Sequence, residues 1–499
     1  MRPCKLWLLV LSLAVAASGC APAATPTPTP APTPTPIEGF TIAHVAVVDV
    51  EKGVAVPDQT VVIAGERILR VAPDGAAGLR SVPPQAGLRS VPPQAGLRSV
   101  PPQAGLPATT HTIDGRGLYL MPGLVDAHVH FFDPQVFGRL MLANGVLLVR
   151  DMGQVTQDVL KTRAELNAGA LLGPEMIATG YLLDGAPAQI PQIALALATP
   201  DEGRAAVRQQ VQEGVDQIKI YSALEKDVYL AILDEAQKLG IKVVGHVPET
   251  VYVEDAAAAG QRSIEHLHGF DKLIGKLLGL PITLRAGGQG SDARYWPRLQ
   301  DVDHTALQAA LRRMAATGVA VCPTVLVFQK GVDMARFQSG NHPLSEYISP
   351  GIREVWKTLW DPSQAEGLEY IWPPMQAFVA ELHQAGVTLM VGADLVFPGI
   401  IPGYAVHEEM AMWQEAGLPA ADILRSATIV PARFMGLDGR LGTVSEGKAA
   451  SLVLVRSNPL EDIQNARQVE AVFLRGKYLS RADLDRLLQE ARELAGASL

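Results

Sequence analysis

The spacing of hydrophobic positions changes near residue 118. Beyond it, short apolar runs alternate with segments of helical periodicity, which predict helices over 227–239 and 305–316, among others. The apolar runs predict eight strands: 119–125, 146–149, 175–179, 216–220, 242–244, 262–264, 319–321 and 387–391. Eight strands alternating with helices predict an α/β fold. We expect a (β/α)8 TIM barrel over 118–436, with catalytic groups at the carboxyl ends of its strands.

The two ends of the folded part are rich in strand patterns. Apolar or alternating runs occur at 40–50 and 60–71, and again at 450–455 and 469–474. These runs predict one small composite β-sandwich domain built from residues 37–117 and 437–480. Residues 481–499 predict a helix with one apolar side, formed by Leu484, Leu487, Leu488, Ala491 and Leu494.

The first 36 residues have the pattern of an export segment. Arg2 and Lys5 precede an apolar stretch at 6–17, and small residues lead to Cys20, so 1–19 is predicted to be a signal peptide. This arrangement resembles a bacterial lipoprotein signal, which implies a lipidated Cys20 and an exported protein anchored in a membrane of the cell envelope. A stiff Thr/Pro tether over 20–36 agrees with that interpretation. An ordinary signal peptide with a stray cysteine is the alternative.

One internal repeat occurs. AGLRSVPPQ is present three times in tandem over 77–103, and a fourth copy begins at 104–106. A nine-residue period with paired prolines matches no stacked repeat unit. We expect a surface loop inserted at 77–106, which costs little additional closure entropy. A binding arm is the functional alternative.

Composition narrows the class of protein. The 48% of hydrophobic residues and 19% of charged residues are typical of a globular chain with a buried core. The formal charge of −9 argues against non-specific nucleic-acid binding, which depends on Lys and Arg at phosphates. Three cysteines exclude a disulfide-stapled scaffold, and no apolar run reaches the roughly 20 residues that span a bilayer. The composition is compatible with a homo-oligomer.

Six residues with metal-binding chemistry follow the predicted strands: His128, His130, Lys219, His246, His266 and Asp394. Residues two apart on a strand share a face, so His128 and His130 in VDAHVH form half a metal site. Lys219 lies between isoleucines in IKIY, and a buried ammonium needs a partner. Together the six residues predict a site for two metal ions. A salt-bridged Lys219 beside a mononuclear site is the alternative.

From Ile37 to about Leu479 the chain resembles the amidohydrolase superfamily. The resemblance rests on the ligand series and on two flanking segments, GRGLYLMPGLVDAHVH and ILRSATIVPARFMGLDGRLGTVSEGKAASLVLV. Within the superfamily, VRDMG, IKIY and IEH are similar to the imidazolonepropionase-like and metal-dependent Xaa-Pro dipeptidase-like group. The resemblance implies that His128, His130 and Asp394 bind one ion and that His246 and His266 bind a second. Zinc is the expected metal, and manganese or iron suits the same ligands.

The resemblance also implies roles beyond simple ligation. Lys219 would be carboxylated by carbon dioxide and bridge both ions, since a carbamate is anionic and offers two oxygens. A metal-activated hydroxide would attack the substrate, and Asp394 would be the general base and acid. Tyr221 and His268 stand two residues beyond Lys219 and His266, where either side chain could bind the substrate. The family usually has glycine directly after IEH, and here Leu267 and His268 are inserted before Gly269.

The expected function is hydrolysis of amide carbon–nitrogen bonds in small substrates, such as Xaa-Pro dipeptides or N-acyl amino acids. A lactone or phosphate-ester hydrolase with the same centre is one alternative, and a catalytically inactive surface-binding lipoprotein is another. The long segments 269–302 and 326–374 contain several aromatic residues, which either favour an apolar substrate group or pack additional helices. Lys272 in the first segment could meet a carboxylate or be solvated. Arg150 and Asp151 are expected to brace the strand ends.

Overall fold

The computed structural model describes residues 37–75, 109–285, 293–395 and 397–497. The predicted signal peptide, Cys20, the tether and the repeated loop at 77–106 lie outside these described residues. Over the described ranges, no helix combines the length and the apolar character needed to cross a membrane.

Most strands of the described chain are short. In chain order they are β1 (Ile37–Asp49), β2 (Val54–Ala64), β3 (Arg67–Pro73), β4 (Thr109–Asp114), β5 (Tyr119–Pro122), β6 (Leu124–Val129), β7 (Val146–Asp151), β8 (Glu175–Ala178), β9 (Leu182–Gly185), β10 (Ala194–Leu197), β11 (Ile218–Ile220), β12 (Val243–Gly245), β13 (Ser263–Glu265), β14 (Ala320–Cys322), β15 (Thr388–Leu389), β16 (Leu452–Val455), β17 (Val469–Leu474) and β18 (Lys477–Ser480).

Helices fill the intervals between the strands from β6 onward. They are α1 (Pro134–Ala143), α2 (Thr156–Asn167), α3 (Pro200–Glu213), α4 (Lys226–Leu239), α5 (Val253–Ala258), α6 (Phe270–Leu277), α7 (His304–Ala315), α8 (Val325–Val332), α9 (Met334–Gln338), α10 (Pro350–Leu359), α11 (Leu368–Gln384), α12 (Tyr404–Glu415), α13 (Ala420–Ser426), α14 (Ile429–Phe434) and α15 (Arg481–Ala497). Short 3-10 helices cover Ala293–Asp301, Pro343–Tyr347, Pro362–Ala365 and Ile463–Arg467. The predicted helices at 227–239 and 305–316 agree with α4 and α7 within one residue.

Two parallel sheets form the centre of the molecule. One contains β6, β7 and β8, and the other runs in the order β10-β9-β11-β12-β13-β14-β15. Hydrogen bonds join them at both margins: the Asp216 N–H donates to the Ala178 carbonyl at 2.8 Å, and the Ala127 N–H donates to the Val391 carbonyl at 2.9 Å. The parallel strands and intervening helices confirm an α/β fold. The closed (β/α)8 barrel stays an interpretation that these junctions support.

The predicted strand at 119–125 is divided in the structure. β5 pairs antiparallel with β16 and parallel with β1, so it belongs to the sheet made by the chain ends. Only β6 joins the parallel sheets, beside β7. Pattern alone could not separate the two segments, because both are buried and only Gly123 lies between them. A Cβ at Gly123 would lie 2.6–2.8 Å from the Leu147 side chain, so this position requires glycine.

The chain ends meet in one mixed sheet of eight strands. Its order is β18-β17-β16-β5-β1-β2-β3, and β4 pairs with β1. An apolar cluster that includes Ile42, Ile63, Leu454 and Phe473 packs within it. Both ends of the chain therefore contribute to the composite β-rich part, as predicted. The strands form one continuous hydrogen-bonded sheet, and the two-layered sandwich stays a prediction.

Sequence reasoning did not find β9 and β10, which follow the third predicted strand. The two strands pair in parallel, and β9 continues to β11 through Leu183 and Ile220. β9 has the sequence LLDG, which ends in an Asp-Gly pair typical of a turn, and β10 has the sequence ALAL, whose residues favour helices. The Tyr221 N–H donates to the Leu183 carbonyl at 2.9 Å, so β9 fixes the backbone at the end of β11.

The C-terminal helix α15 packs on the body as its apolar side predicts. Leu484, Leu487 and Ala491 are buried, and Leu488 and Leu494 pack against the same core at partial exposure. The extra helices between β14 and β15 also contribute to this core, which includes Trp356 and Phe378 at 0% exposure. The described ligand candidates thus rest on a large packed interior.

Candidate metal centre

The predicted ligands lie at the carboxyl ends of neighbouring parallel strands. His128 is the second-to-last residue of β6, and Lys219 is the central residue of β11. His246 and His266 directly follow β12 and β13, since those strands end at Gly245 and Glu265. Parallel strands present their carboxyl ends on one edge, so residues far apart in the chain meet there.

His128, His266 and Asp394 form the tightest group. Each offers a ligand atom, and these atoms all lie within 4.8 Å of one another. The Asp394 carboxylate has Oδ1 3.4 Å from His128 Nε2 and Oδ2 3.7 Å from His266 Nδ1. His128 Nε2 is buried without a hydrogen-bond partner among the described residues. An unpaired imidazole nitrogen facing a carboxylate fits a bound cation.

His130 and His246 adjoin this group. His130 Nε2 lies 3.7 Å from Asp394 Oδ1. The His246 ring centroid lies 4.9 Å from that of His266, at an interplanar angle of 86°. The structure therefore brings all four predicted histidines to one place, around one carboxylate.

Each of the four imidazoles has its Nδ1 engaged by a group outside the centre. His128 Nδ1–H donates to Glu265 Oε2 at 2.9 Å, and His130 Nδ1–H donates to the Gly153 carbonyl at 2.7 Å. The hydroxyl oxygens of Ser222 and Thr324 lie 2.8 Å and 2.7 Å from Nδ1 of His246 and His266, respectively. Such outer partners fix the ring orientation of a metal-ligating histidine. In His128 and His130 they leave Nε2, the atom that faces Asp394, for a metal.

Burial keeps these histidines neutral. It lowers the pKa of His130 to about 4 and those of His128, His246 and His266 well below the ordinary value. The Lys219 ammonium acts in the same direction on all four rings. A metal-binding imidazole must be unprotonated, so the centre is prepared for a cation at neutral pH.

Lys219 is 1% exposed, and its Nζ has no hydrogen-bond partner among the described residues. Burial lowers its pKa to about 8, while the Glu265 and Asp394 carboxylates oppose that shift. Gly245 makes room for the lysine stem, because a Cβ there would lie 2.9 Å from Lys219 Cδ and 2.2 Å from the Ile220 carbonyl oxygen. Burying an unpaired amine costs free energy, so Lys219 needs a partner that the described residues do not supply.

Asp394 follows the end of β15 by five residues and has a strained backbone. Its φ is 55°, and its N–H donates to the His128 carbonyl at 2.8 Å. Gly392 allows β6 to approach, since a Cβ there would lie 2.8 Å from His128 N. Burial raises the pKa of Asp394 to about 6, and Lys219 partly opposes that effect.

A buried carboxylate beneath the centre was not anticipated from sequence. Glu265 is 0% exposed and accepts from His128, and both of its oxygens accept from Arg150 Nη2 at 3.0 Å. Arg150 also donates to the Ala127 carbonyl at 2.6 Å and to Ser263 Oγ at 3.1 Å. Arg150 therefore links β6 and β13 from a fully buried position in β7.

Tyr221 and His268 both contact His246. The Tyr221 ring centroid lies 4.1 Å from His246, and the His268 ring stacks on His246 at 4.3 Å and 23°. The strand alternation expected for His268 is wrong, because His266 and Leu267 have φ of 58° and 54° and the strand ends at Glu265. Both candidate substrate residues nevertheless lie beside the centre.

Lys272 is not a free cation for a substrate. Its side chain is 5% exposed and pairs with Glu249, to which Nζ also donates at the backbone carbonyl at 3.0 Å. The Glu249 N–H in turn donates to the Ser222 carbonyl at 2.9 Å. Ser222 is the Nδ1 partner of His246, so this ion pair stabilises the loop that orients His246.

Glu409 in helix α12 also supports the position of His266. Glu409 is fully buried, and its carboxylate accepts from Val325 N at 3.1 Å, Leu326 N at 2.8 Å and Trp413 Nε1 at 2.8 Å. Burial raises the pKa of Glu409 to about 7. The carboxylate thus caps the start of α8 and holds Thr324, at φ 46°, in place beside His266.

Comparisons with known proteins agree with this geometry. A model of the amidohydrolase family matches residues 119–479, well over half of the chain. A comparison with curated protein sequences finds no match.

Solved structures also resemble the chain. A bottromycin amidohydrolase is 25% identical with a TM-score of 0.68, and the match covers 92% of this chain and 91% of that one. A Bifidobacterium longum protein assigned as a prolidase is 26% identical with a TM-score of 0.61, over 92% of this chain and 100% of the other. A Xaa-Pro dipeptidase with methionine in its active site is 19% identical, with a TM-score of 0.62 over 89% and 100%, and supports the fold alone.

Glu409→Ala tests whether the capping of α8 by the Glu409 carboxylate positions His266. The two amides of α8 would lose their acceptor, and buried unsatisfied donors cost about 1–3 kcal/mol each. We expect a lower unfolding midpoint and roughly tenfold weaker zinc binding by chelator competition, the lower end of outer-shell effects. Glu408→Ala is the matched control, since Glu408 pairs with Lys330 at 2.9 Å on a more exposed face. Equal zinc affinity in Glu409→Ala and wild type would contradict the positioning role.

Proposed function

Because the chain belongs to the amidohydrolase family, we propose that it is a metal-dependent hydrolase that cleaves amide carbon–nitrogen bonds. The proposed substrates are small, such as Xaa-Pro dipeptides and N-acyl amino acids. The observation that carries this proposal is the group of four neutral histidines beside Asp394, two of them buried and two partly exposed. The two relatives at 25% and 26% identity support this class of bond, since one is an amidohydrolase and the other is assigned as a prolidase.

We propose a binuclear centre carried on a (β/α)8 barrel. His128, His130 and Asp394 would hold one divalent ion, and His246 and His266 would hold the other. Zinc is the proposed metal, and manganese and iron are compatible with the same ligands. Such ions supply Lewis-acid polarisation of a carbonyl and a water of lowered pKa. The buried, unpaired His128 Nε2 is the feature of this chain that fits a metal directly.

Lys219 is proposed to be carboxylated and to bridge the two ions. Carboxylation joins the amine nitrogen to carbon dioxide and releases one proton, which leaves an anionic carbamate with two oxygens. The support is local: Lys219 Nζ is buried among the ligands and has no hydrogen-bond partner within the described ranges. An ammonium has no lone pair for a cation, whereas the carbamate oxygens do.

Asp394 is proposed to handle the proton of the reaction. Its carboxylate would take a proton from the attacking water and give it to the leaving nitrogen. The strained turn and the bond from Asp394 N–H to the His128 carbonyl hold it facing the centre. Tyr221 and His268, packed on His246, are the proposed substrate-binding residues on the opposite side.

Alternative functions use the same residues. A lactone or phosphate-ester hydrolase would need the same centre, because both reactions develop negative charge on an oxygen. A surface-binding lipoprotein without catalysis would retain metal but show no turnover. The choice among these alternatives depends on substrate and not on the ligand set.

The chain is further proposed to be an exported lipoprotein of the cell envelope, anchored through Cys20. The support is the sequence pattern of residues 1–36. An anchor and a stiff tether would hold the hydrolase near the membrane while the folded part stays in water.

A substrate panel with wild type and Asp394→Asn tests the function. Wild type, saturated with zinc or manganese, should hydrolyse dipeptides or N-acyl amino acids faster than lactones or phosphate esters. The variant should lose at least about 100-fold in kcat, since positioned acid–base catalysis is worth about 10²–10⁴-fold. Metal content should stay nearly intact, and Asp227→Asn on the exposed side of α4 is the control. Near-wild-type turnover of Asp394→Asn would overturn the assignment, and two bound metals without any hydrolysis would favour the binding lipoprotein.

Lys219→Ala tests the bridge. The variant should retain at most one metal ion per chain by elemental analysis, because the two-oxygen ligand is lost. A short carboxylic acid in the buffer should restore part of the second metal. Lys226→Ala, an exposed lysine at the start of α4, is the matched control. Circular dichroism shows whether the variant folds, and a folded Lys219→Ala protein that holds two ions would contradict the bridge.

Cys20→Ser tests the anchor. The full chain expressed in a bacterial host should incorporate labelled palmitate and sediment with membranes, because a lipidated cysteine partitions into the bilayer. The Cys20→Ser chain should lose both properties, whereas Cys4→Ser should keep them. Palmitate labelling that survives in Cys20→Ser would refute the assignment.

A further inference from the structure

The aromatic residues of the two long segments mostly pack the protein interior. Trp296 and Trp356 are 0% exposed, and Phe337 and Tyr347 are 3% and 4% exposed. Phe328, Trp360 and Trp372 are partly buried and pack against the same core. These side chains therefore explain the stability of the extra helices, and they do not by themselves form an apolar substrate wall.

Phe132 is different, although the sequence pattern did not single it out. It is 44% exposed, while the preceding Phe131 is 1% exposed. The Phe132 ring lies 6.0 Å from the His130 ring, centroid to centroid, at an interplanar angle of only 9°. An exposed aromatic ring is thus stacked parallel to a histidine of the centre, directly after β6.

The backbone around Phe132 holds that ring in position. The Phe132 N–H donates to the His130 carbonyl at 3.0 Å, and the Phe131 N–H donates to Asp151 Oδ2 at 2.8 Å. Asp133 then caps α1 by accepting from Val136 N at 3.3 Å. Both sides of Phe132 are therefore fixed, so its exposure belongs to the folded arrangement of this turn.

A second aromatic residue borders the neighbouring strand end. Leu395 pairs with Val129 of β6, and the His130 N–H donates to the Leu395 carbonyl at 2.7 Å. Phe397 follows two residues later and packs on Trp360, with ring centroids 5.3 Å apart. Phe132 therefore follows His130 by two residues, and Phe397 follows Asp394 by three, on two backbone segments that are hydrogen-bonded to each other.

We propose that Phe132 is a specificity-determining residue that packs against an apolar side chain of the substrate, next to the scissile amide. The inference rests on the proposed amide hydrolysis, because it places the reacting carbonyl between the histidines and Asp394. A substrate group beside that carbonyl would cover the exposed Phe132 ring and remove apolar surface from water. The preferred dipeptides or N-acyl amino acids would therefore carry leucine, phenylalanine or a similar group.

The test compares kcat/KM of wild type, Phe132→Ala, Phe132→Leu and Leu230→Ala on Phe-Pro, Leu-Pro, Gly-Pro and Asp-Pro, and on the matching N-acetyl amino acids. Leu230 is also 44% exposed but lies on the outer face of α4, so it controls for losing an exposed apolar side chain. Metal content of each variant is measured alongside, because it shows whether the His130 site survives.

Phe132→Ala should lower kcat/KM for the Phe and Leu substrates about tenfold, the low end of what a hydrophobic pocket contact contributes. The Gly and Asp substrates should change less than twofold, roughly the spread of a surface substitution. Phe132→Leu should restore most of the loss, and Leu230→Ala should match wild type on every substrate.

Two results would overturn the inference alone: an equal loss of kcat/KM on all substrates, or no loss on the Phe and Leu substrates in Phe132→Ala. In both cases the wild type still hydrolyses amides, so the proposed function stands. A wild type that holds metal but cleaves none of these amides overturns the proposed function and the inference together.

Discussion

The pairing of Arg150 with Glu265 is the constraint on which the centre depends. One guanidinium donates to both oxygens of a fully buried carboxylate, and the same carboxylate orients His128. Arg150 also holds the Ala127 carbonyl and the Ser263 hydroxyl, so it links β6, β7 and β13. Breaking a buried pair leaves an uncompensated charge and costs about 3–5 kcal/mol. The geometry of the ligands therefore depends on the buried polar network that Arg150 and Glu265 form.

Backbone strain near the ends of the parallel strands also contributes to the geometry of the centre. Four non-glycine residues near the centre have positive φ: His266, Leu267, Thr324 and Asp394. Such conformations cost about 1–3 kcal/mol each and persist only where the surroundings impose them. Glu409 imposes one of them, because it caps α8 beside Thr324, and the His128 carbonyl imposes another at Asp394. The turns aim polar side chains inward at the expense of local backbone energy.

The centre is polar on one side and apolar on another. Tyr221 and His268 stack on His246, whereas Phe132 stacks on His130. Lys272, which could have supplied a positive charge, is occupied by Glu249. The described surroundings therefore differ across the site, with hydrogen-bonding rings near one pair of histidines and an exposed phenyl ring near the other. In the proposed hydrolase, this asymmetry would orient the substrate.

Much of the fold and most of the ligand candidates followed from local pattern. Apolar runs alternating with helical periods identified the parallel strands, and α4 and α7 began and ended within one residue of expectation. Period 2 and period 3.6 are properties of a short window, so one sequence suffices to detect them. The short strands β9 and β10 escaped detection because LLDG ends like a turn and ALAL consists of residues that favour helices.

The residues that orient the ligands could only be found in three dimensions. His128 and Glu265 are 137 residues apart, and His266 and Thr324 are 58 apart, so no window contains both partners. The exposure of Phe132 beside a buried Phe131 is likewise decided by the turn after β6 and not by residue type. Sequence alone determined which side chains reach the strand ends, because alternation and strand order are local. Tertiary structure decided which of these side chains are held by hydrogen bonds, which are kept neutral by burial and which stay exposed to a substrate. The reason is that hydrogen bonds and burial involve segments far apart in the chain.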